Sequence, residues 1–524
     1  MSNVVPFVVI GLTTGSVYAL AATGLVLTYR TSRIFNFAHG SLATVTVLVF
    51  FALVFRAQVP WRVAAAITVL GIGPAAGVAF QVLGRRLTPL STEAKVLATI
   101  GIVLFVAGAA TLWGGDAYGS AAVAPPPALP SSLVRIGGVN IGIDQIIIVG
   151  VSLVAAVLLH LGVEHTKPGY AMRAVVDDAD LLALTGRSPV AVQRASWALG
   201  IGFVTLSGVL LVLSPSYSVP PQTLDLLVLQ AFGAAAVGGF VSLPLTYAGG
   251  LAIGVVSALA TDWVGQVPLL AGLPSALPFV VLFVVLVAAP RRLMPQPPDA
   301  YAPRRARVVD VPRAWKLPIA AVVAAALVAV PLSKDVHLVY TANEALAYGV
   351  VFLGLGLLVR TSGQVSLCQM GLAAVGASAF AHLAGTFELP WLVAVLVGAL
   401  AAAAVGVVVA VPAIRVAGIY LAVATYGFGV LLQQLLYPTS FMFSTGDVRA
   451  PRPSVGPLAA SDDVTFYFVI AAFFFCALGA VVAIRRARLG RLLRALGDSA
   501  VGLQAQGASL TVTGGEQQRN GKPR

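Results

Sequence analysis

Apolar residues in this chain come in long unbroken runs, and the polar residues gather between them. Runs close to the roughly 20 residues a helix needs to cross a hydrocarbon core lie near 5–28, 34–55, 63–83, 96–114, 143–163, 195–214, 226–241, 244–264 and 276–290. A second series lies near 315–333, 343–359, 366–386, 390–411, 416–437 and 464–484. The pattern predicts an all-α polytopic membrane protein with about fifteen spans.

The runs repeat. GLVLTYRTSRIFNFAHGSLATV from Gly24 lies over GLGLLVRTSGQVSLCQMGLAAV from Gly354 without a gap, at an offset of 330 residues. Tyr18/Tyr348, Gly24/Gly354, Leu27/Leu357, Arg30/Arg360, Thr31/Thr361, Ser32/Ser362 and Leu42/Leu372 coincide. A second echo, at an offset of 321, lies between spans: GYAMRAVVDDADLLALTG from Gly169 and GRLLRALGDSAVGLQAQG from Gly490. Gly169/Gly490, Arg173/Arg494, Asp177/Asp498 and Gly186/Gly507 match there. A duplicated set of spans predicts two homologous transmembrane bundles with a transport path between them. Each polar echo begins a short amphipathic helix just off the membrane. Two equivalent helices of this kind suit a two-fold partner, and an interfacial helix on lipid headgroups is the plainer alternative.

Composition agrees: 59% of residues are hydrophobic and 10% charged, with a mean hydropathy of +0.95. The net charge of +13 sorts by side. With the N-terminus outside, every Lys and Arg falls in an inside segment except Arg56, Arg62, Arg135, Lys334, Arg449 and Arg452. The charge is thus a topology signal and a contact with anionic membrane lipids; no basic run is interleaved with aromatics, so nucleic acid is not an expected partner. Cys368 and Cys476 form no disulfide or metal pattern. No P-loop is present: in the near miss GGEQQRNGKPR the spacing is one residue too long, and Pro523 stands where Ser or Thr is required. No catalytic constellation, metal set or cofactor site is expected in this chain. The domains expected are residues 1–290, a basic Pro-rich cytoplasmic linker 291–316, residues 317–511, and a polar tail 512–524 disordered by composition.

Polar residues inside spans are costly and point to pairing or function. Asn36 and His39 open the second span, and Ser366 and Gln369 are their counterparts. These four and Gln230 are the candidates for the translocation path. Capping or closing a helix break is the plainer role for Asn36 and His39, and interhelical hydrogen bonding for Gln230. Asn343, Glu344, Gln433 and Gln434 are further polar residues within runs. Gly233, Gly238 and Gly239 are expected to give close packing and a tight re-entrant turn, hence gating.

These motifs resemble the permease subunits of high-affinity, LIV-type branched-chain amino acid ABC transporters, and the resemblance covers most of the chain. GLTTGSVYALAATGLVLTYRTSRIFNFAHGSL, ATIGIVLFVAG and LVLQAFGAAAVGGFVSLPLTYAGGLAIG are similar to one permease of the pair. GQVSLCQMGLAAVGASAFAHLAG and IRVAGIYLAVATYGFGVLLQQL are similar to the other. The resemblance implies a gene fusion in a bacterial inner membrane, with two cytoplasmic ATPase subunits carrying ATP-Mg and an extracytoplasmic binding protein that delivers the amino acid. It implies that the two loops couple ATPase motion to alternating access. Arg173 and Arg494 would contact the ATPase or brace the loop, Asp177 and Asp498 would fix its turn, and Gly186 and Gly507 would permit it. Cys368 and Gln369 depart from the family's usual Gly-His.

Urea or short-amide ABC permeases share this pattern. An ion-coupled secondary transporter, the alternative from another class, calls for mid-span Asp or Glu, which are almost lacking. The first half continues from Gly186 to Pro290, whereas the chain ends at Arg524, 17 residues after Gly507. The second permease is therefore expected to be C-terminally truncated, through a frameshift or assembly break, a separately encoded remainder, or a shortened working form.

Overall fold

A computed structural model describes residues 4–32, 34–87, 92–118, 129–136, 139–215, 224–264, 267, 270–288, 312–333, 335–362, 364–413, 419–443, 450–453 and 462–498. Most of the expected linker lies outside these residues, as do Gly507 and the expected tail. Contacts divide the chain into two compact units, Met1–Gln296 with Gln434–Leu436, and Pro297–Gln433 with Tyr437–Arg524.

In the first unit, α1 (Val4–Ser32) is followed by a break and then α2 (His39–Phe51), which runs on as a π-helical turn, Ala52–Arg56. Helix α3 (Trp61–Ile67) joins α4 (Gly73–Leu87) through a second π-helical turn, and α5 is Thr92–Tyr118. An antiparallel hairpin, β1 (Leu133–Ile136) with β2 (Val139–Gly142), leads into α6 (Ile143–His165). Short helices α7 (Lys167–Asp177) and α8 (Ala179–Leu184) precede α9 (Pro189–Leu213), α10 (Asp225–Val237), α11 (Leu243–Val264) and α12 (Leu273–Ala288).

Helix α1 is central, packed by α6, α9, α10 and α11. Its seam with α11 is made by glycines. A Cβ on Gly11 would meet Val255 Cα at 2.5 Å, one on Gly254 would meet Gly11 O at 2.3 Å, and one on Gly250 would meet Ala19 at 2.7 Å. Backbones approach this closely because no side chain intervenes, the packing mode that lipid-embedded helices use when hydrophobic burial offers no drive. Outward positions carry Leu104, Phe105 and Leu112 on α5, all largely exposed; facing lipid, they need no further cover.

The second unit holds α13 (Arg313–Leu332), α14 (Val336–Ser362), α15 (Gln369–Gly385), α16 (Trp391–Ala413), α17 (Ile419–Leu431), α18 (Asp463–Arg486) and α19 (Arg488–Asp498); the π-helical turn Leu432–Leu436 after α17 is divided, Gln434–Leu436 counting with the first unit. Arg313 to Lys316, expected in the linker, form the first turn of α13. Tyr467 of α18 donates to the Leu327 carbonyl of α13 at 2.9 Å and packs with Val339, Leu346 and Ala471. Ser378 and His382 of α15 bond the Met442 carbonyl at 3.2 and 2.9 Å, tying α15 to the turn after α17.

Every expected span corresponds to a helix, but among the described residues nine are long and apolar enough to cross a membrane. The run 226–241 is a correction. Its helix α10 has 13 residues, about 20 Å, against a core of about 30 Å. It ends at Val237, and the chain turns back through Gly238–Ser242. A hairpin of β1 and β2 lies between the runs 96–114 and 143–163, where the hydropathy pattern predicts no element: Leu-Val-Arg-Ile and Val-Asn-Ile-Gly pair there.

Candidate functional site

Two interruptions meet in the first unit. Between α1 and α2, residues Ile34–Ala38 leave the helix, and the Asn36 carboxamide oxygen accepts from the Ala38 amide at 3.0 Å while its carbonyl accepts from His39 N at 3.3 Å. That turn closes the break locally. Asn36 and His39 are fully buried. Among the described residues, Asn36 Nδ2, both ring nitrogens of His39 and Ser41 Oγ complete no hydrogen bond of good geometry, although the Ala21 backbone lies beside the imidazole. Buried polar atoms left in this state are rare and call for water or a ligand.

The second interruption is the turn after α10. Gly239 and Phe240 have φ of 60° and 57°, a left-handed region natural for Gly and strained for Phe. The turn is tight because a Cβ on Gly238 would meet Thr246 Oγ1 at 2.0 Å. The strained Phe240 points back at the first break: its ring is 5.1 Å from Phe35 and 6.0 Å from Tyr29, and Phe35 lies 4.1 Å from Tyr29. Phe232 of α10 completes the cluster, 6.0 Å from Phe35 and 5.3 Å from Phe37. Gly233 lets α10 approach α12, its Cβ position lying 2.4 Å from the Pro278 carbonyl. Gln230 is half-buried on α10.

In the second unit the break between α14 and α15 is closed from elsewhere. The Leu367 amide donates to Thr425 Oγ1 of α17 at 3.0 Å, and Ser366 Oγ lies 3.2 Å from Cys368 Sγ. Gln369 begins α15 and is half-buried. Glu344, on the exposed side of α14, accepts from the Tyr348 hydroxyl at 3.1 Å.

The first coupling loop is a compact knob. Thr166 caps α7, accepting from Gly169 N at 3.2 Å, and Gly169 lets α7 cross the end of α6, since a Cβ would meet the Gly162 and Val163 carbonyls at 2.3 Å. Arg173 folds back on α6. It pairs with the Glu164 carboxylate, donates to the Glu164 carbonyl at 3.0 Å and stacks over Tyr170. The turn into α8 is fixed by Asp178, which accepts from Asp180 N and Leu181 N at 2.8 and 3.0 Å. Asp177, expected in that role, is the exposed last residue of α7. An N-cap must stand just before the helix it caps, and only Asp178 does. Gly186 follows α8 with φ of 79°. Leu182 is buried against Ala171 and Val175, whereas Leu181 and Leu184 are 61% and 83% exposed. The knob is tied inward at α9, where Gln193 Nε2 donates to the Thr31 carbonyl at the end of α1 at 3.4 Å.

The second loop repeats the crossing and the brace. A Cβ on Gly490 would meet Ile484 O at 2.3 Å, and Arg494 donates to the Gly490 and Arg485 carbonyls, both at 3.1 Å. The side chain of Asp498 and all of Gly507 lie outside the described residues.

Several buried polar residues escape sequence reading. Asp144, at the start of α6, accepts from Ser214 Oγ at 2.5 Å. Ser152 donates to the Ser16 carbonyl at 3.1 Å and shares a 2.9 Å hydrogen bond with the Tyr247 hydroxyl. Gln81 of α4 is buried with both amide atoms unpartnered among the described residues, next to Phe80, which packs on Ala38. None had a repeat or a local motif to mark it; small polar residues at close-packed helix faces are the one usable signal.

The family described as branched-chain amino acid transport system / permease component matches residues 7–290 and again 337–514. The chain belongs to this family. The permease family accounts for the doubled helical architecture and makes the chain a multi-pass membrane transport component. The chain is similar to the high-affinity branched-chain amino acid transport system permease protein BraD of Pseudomonas aeruginosa, 29% identical over 306 residues, covering 55% of this chain and 94% of that protein. It is likewise similar to LivH of Escherichia coli K12, 26% identical over 300 residues, covering 55% and 94%. LivM of the same strain is 32% identical over 116 residues, covering 22% of this chain and 27% of LivM. No solved structure matches the chain significantly.

Proposed function

We propose that the chain is the membrane conduit of an ABC importer for branched-chain or other aliphatic amino acids, with two permease halves, 1–290 and 317–511, joined by a cytoplasmic linker, 291–316. Two cytoplasmic ATPase subunits, which hold ATP-Mg, dock on the α7–α8 and α19 loops, and an extracytoplasmic binding protein delivers the amino acid. With the N-terminus outside, the charge distribution puts both loops and the break at 34–38 on the cytoplasmic side, and the contacts of Phe240 with Tyr29 and Phe35 bring the turn at 238–242 to the same end.

The observation that carries this reading is the continuity from knob to latch. Leu181 and Leu184 offer an apolar tip to a groove on the ATPase. Motion there passes through α9 and the Gln193–Thr31 bond to the end of α1, where Tyr29, Phe35 and Phe240 close the inner end. Discontinuous helices that meet at an aromatic contact form a bistable element: the break and turn move as a unit while α1 stays packed on α11. Asn36 Nδ2, Ser41 Oγ, His39 and Gln81 are the groups left to meet a zwitterionic cargo or its water. Gln230, Ser366 and Gln369 are further path candidates.

The test is reconstitution of the full chain with its ATPases and binding protein in proteoliposomes. Leu181→Asp with Leu184→Asp is expected to abolish stimulated ATP hydrolysis and leucine uptake while membrane insertion stays intact. Unchanged uptake overturns the docking role, and uptake of urea but not leucine overturns the substrate class.

A further inference from the structure

The two coupling loops share one backbone device and differ in charge. At the offset of 321, Arg173 corresponds to Arg494, Glu164 to Arg485, His165 to Arg486 and Leu161 to Val482. In both loops the arginine from the short helix reaches back to the carbonyl of the corresponding residue, Glu164 or Arg485. In the first loop the Glu164 carboxylate neutralises that guanidinium. In the second the same place holds a second guanidinium, and the residue after it a third.

A cavity of about 360 Å³, lined by Val482, Arg485, Arg486 and Arg494, lies among them. That is many times the ~30 Å³ share of a water molecule. Among the described residues, the Arg485 and Arg486 guanidiniums have no carboxylate partner. Arg494 spends two N–H groups on the Gly490 and Arg485 carbonyls, and Arg491 spends one on the Arg486 carbonyl, so the last two carbonyls of α18 are met. The free forks are suited to a phosphate, which accepts paired N–H donors in one plane. The level of the site decides the source. Arg485 and Arg486 are the last two residues of the span α18, and Val482 lies one turn deeper, so the cavity sits at the end of the span, the level expected of lipid headgroups, rather than at the loop's tip.

We propose that Arg485, Arg486 and Arg494 form a binding site for the phosphate of an anionic phospholipid, holding the second coupling helix at the membrane surface; the first loop, neutralised by Glu164, has no such site. The test uses the full chain in nanodiscs of phosphatidylcholine with phosphatidylglycerol, lipid retention being read by native mass spectrometry. Wild type is expected to retain phosphatidylglycerol preferentially. Arg485→Glu, which restores the first loop's carboxylate and leaves the backbone brace in place, is expected to weaken retention about thirtyfold, and Arg486→Gln about fivefold. Equal retention by wild type and both variants overturns the proposal. Inorganic phosphate that competes fully with the lipid at low millimolar concentration also overturns it in favour of a free-anion site. Loss of ATPase association in Arg485→Glu with lipid retention unchanged overturns it in favour of a protein contact.

Discussion

Helices α1 and α14 carry the same sequence pattern and live in different surroundings. In α1, 44% of the most apolar window is buried inside protein; in α14 none of it is. Gly24 shows the difference at one atom. A Cβ there would meet the Gly200 carbonyl of α9 at 2.4 Å, whereas one on its counterpart Gly354 would meet nothing within 4 Å among the described residues. The shared residues therefore encode a helix and its break, while burial comes from the helices laid against it: α9, α10 and α11 in the first unit.

The largest expected effect comes from filling these two positions. Gly24→Leu should cost about 3 kcal/mol or more by forcing α1 from α9, and Gly354→Leu should stay within about 0.5 kcal/mol. Thermal unfolding and the yield of monodisperse protein in detergent check this. Equal losses would mean that α14 is as closely packed as α1.

The breaks come next. Asn36→Ala removes the acceptor for a fully buried amide and should cost about 1–3 kcal/mol, and Thr425→Ala, which frees the partly buried Leu367 amide, about 1 kcal/mol. Amide exchange at Ala38 and Leu367 should accelerate only in the respective variant. Acceleration at both sites in either variant would join the two breaks into one cooperative unit.

Smaller still is the brace. Arg173 and Glu164 are each about a third exposed, so Glu164→Gln should cost under about 1 kcal/mol, because the Glu164 carbonyl and the Tyr170 ring keep Arg173 in place. A double-mutant cycle with Arg173→Gln measures it, and a coupling well above that bound would show that the pair is shielded from solvent.

The least effect is expected at the outer ends. Asp144 is buried and held by Ser214, but Asp462, the exposed cap of α18, accepts from the Thr465 amide at 3.0 Å. Hydrogen bonds from Thr465 hold its carboxyl below the usual value. Its contribution is therefore complete above the unfolded carboxylate's pKa and is lost as pH falls through the lower, folded one. Exchange in the first turn of α18 should rise in that acidic window and be insensitive to pH in Asp462→Asn.

Legibility followed the range of the cause. The helices and both loops were readable because apolar runs and repeats are local in sequence, and the pairing of Arg173 with Arg494 extends to the carbonyl each one binds. The run 226–241 misled because hydropathy counts apolar residues and not the distance they travel: Gly239 and Phe240 turn the chain back after 13 helical residues. The repeat singles out Asp177 because it matches Asp498, whereas capping depends on where α8 begins, and that position is Asp178. Asp144 was invisible because its partner Ser214 is 70 residues away. The meeting of the first break with Phe240 was invisible for the same reason, across some two hundred residues.

The glycine seam of α1 also sets a timetable for biogenesis. Helix α1 is the first described span to leave the ribosome, and its closest neighbour, α11 at Gly254 and Val255, is made some 240 residues later. At about 5–20 residues per second, α1 waits roughly 12–50 s in the bilayer with its glycine face against lipid. Its later partners find it already in place, so α1 serves as the template on which the first bundle assembles.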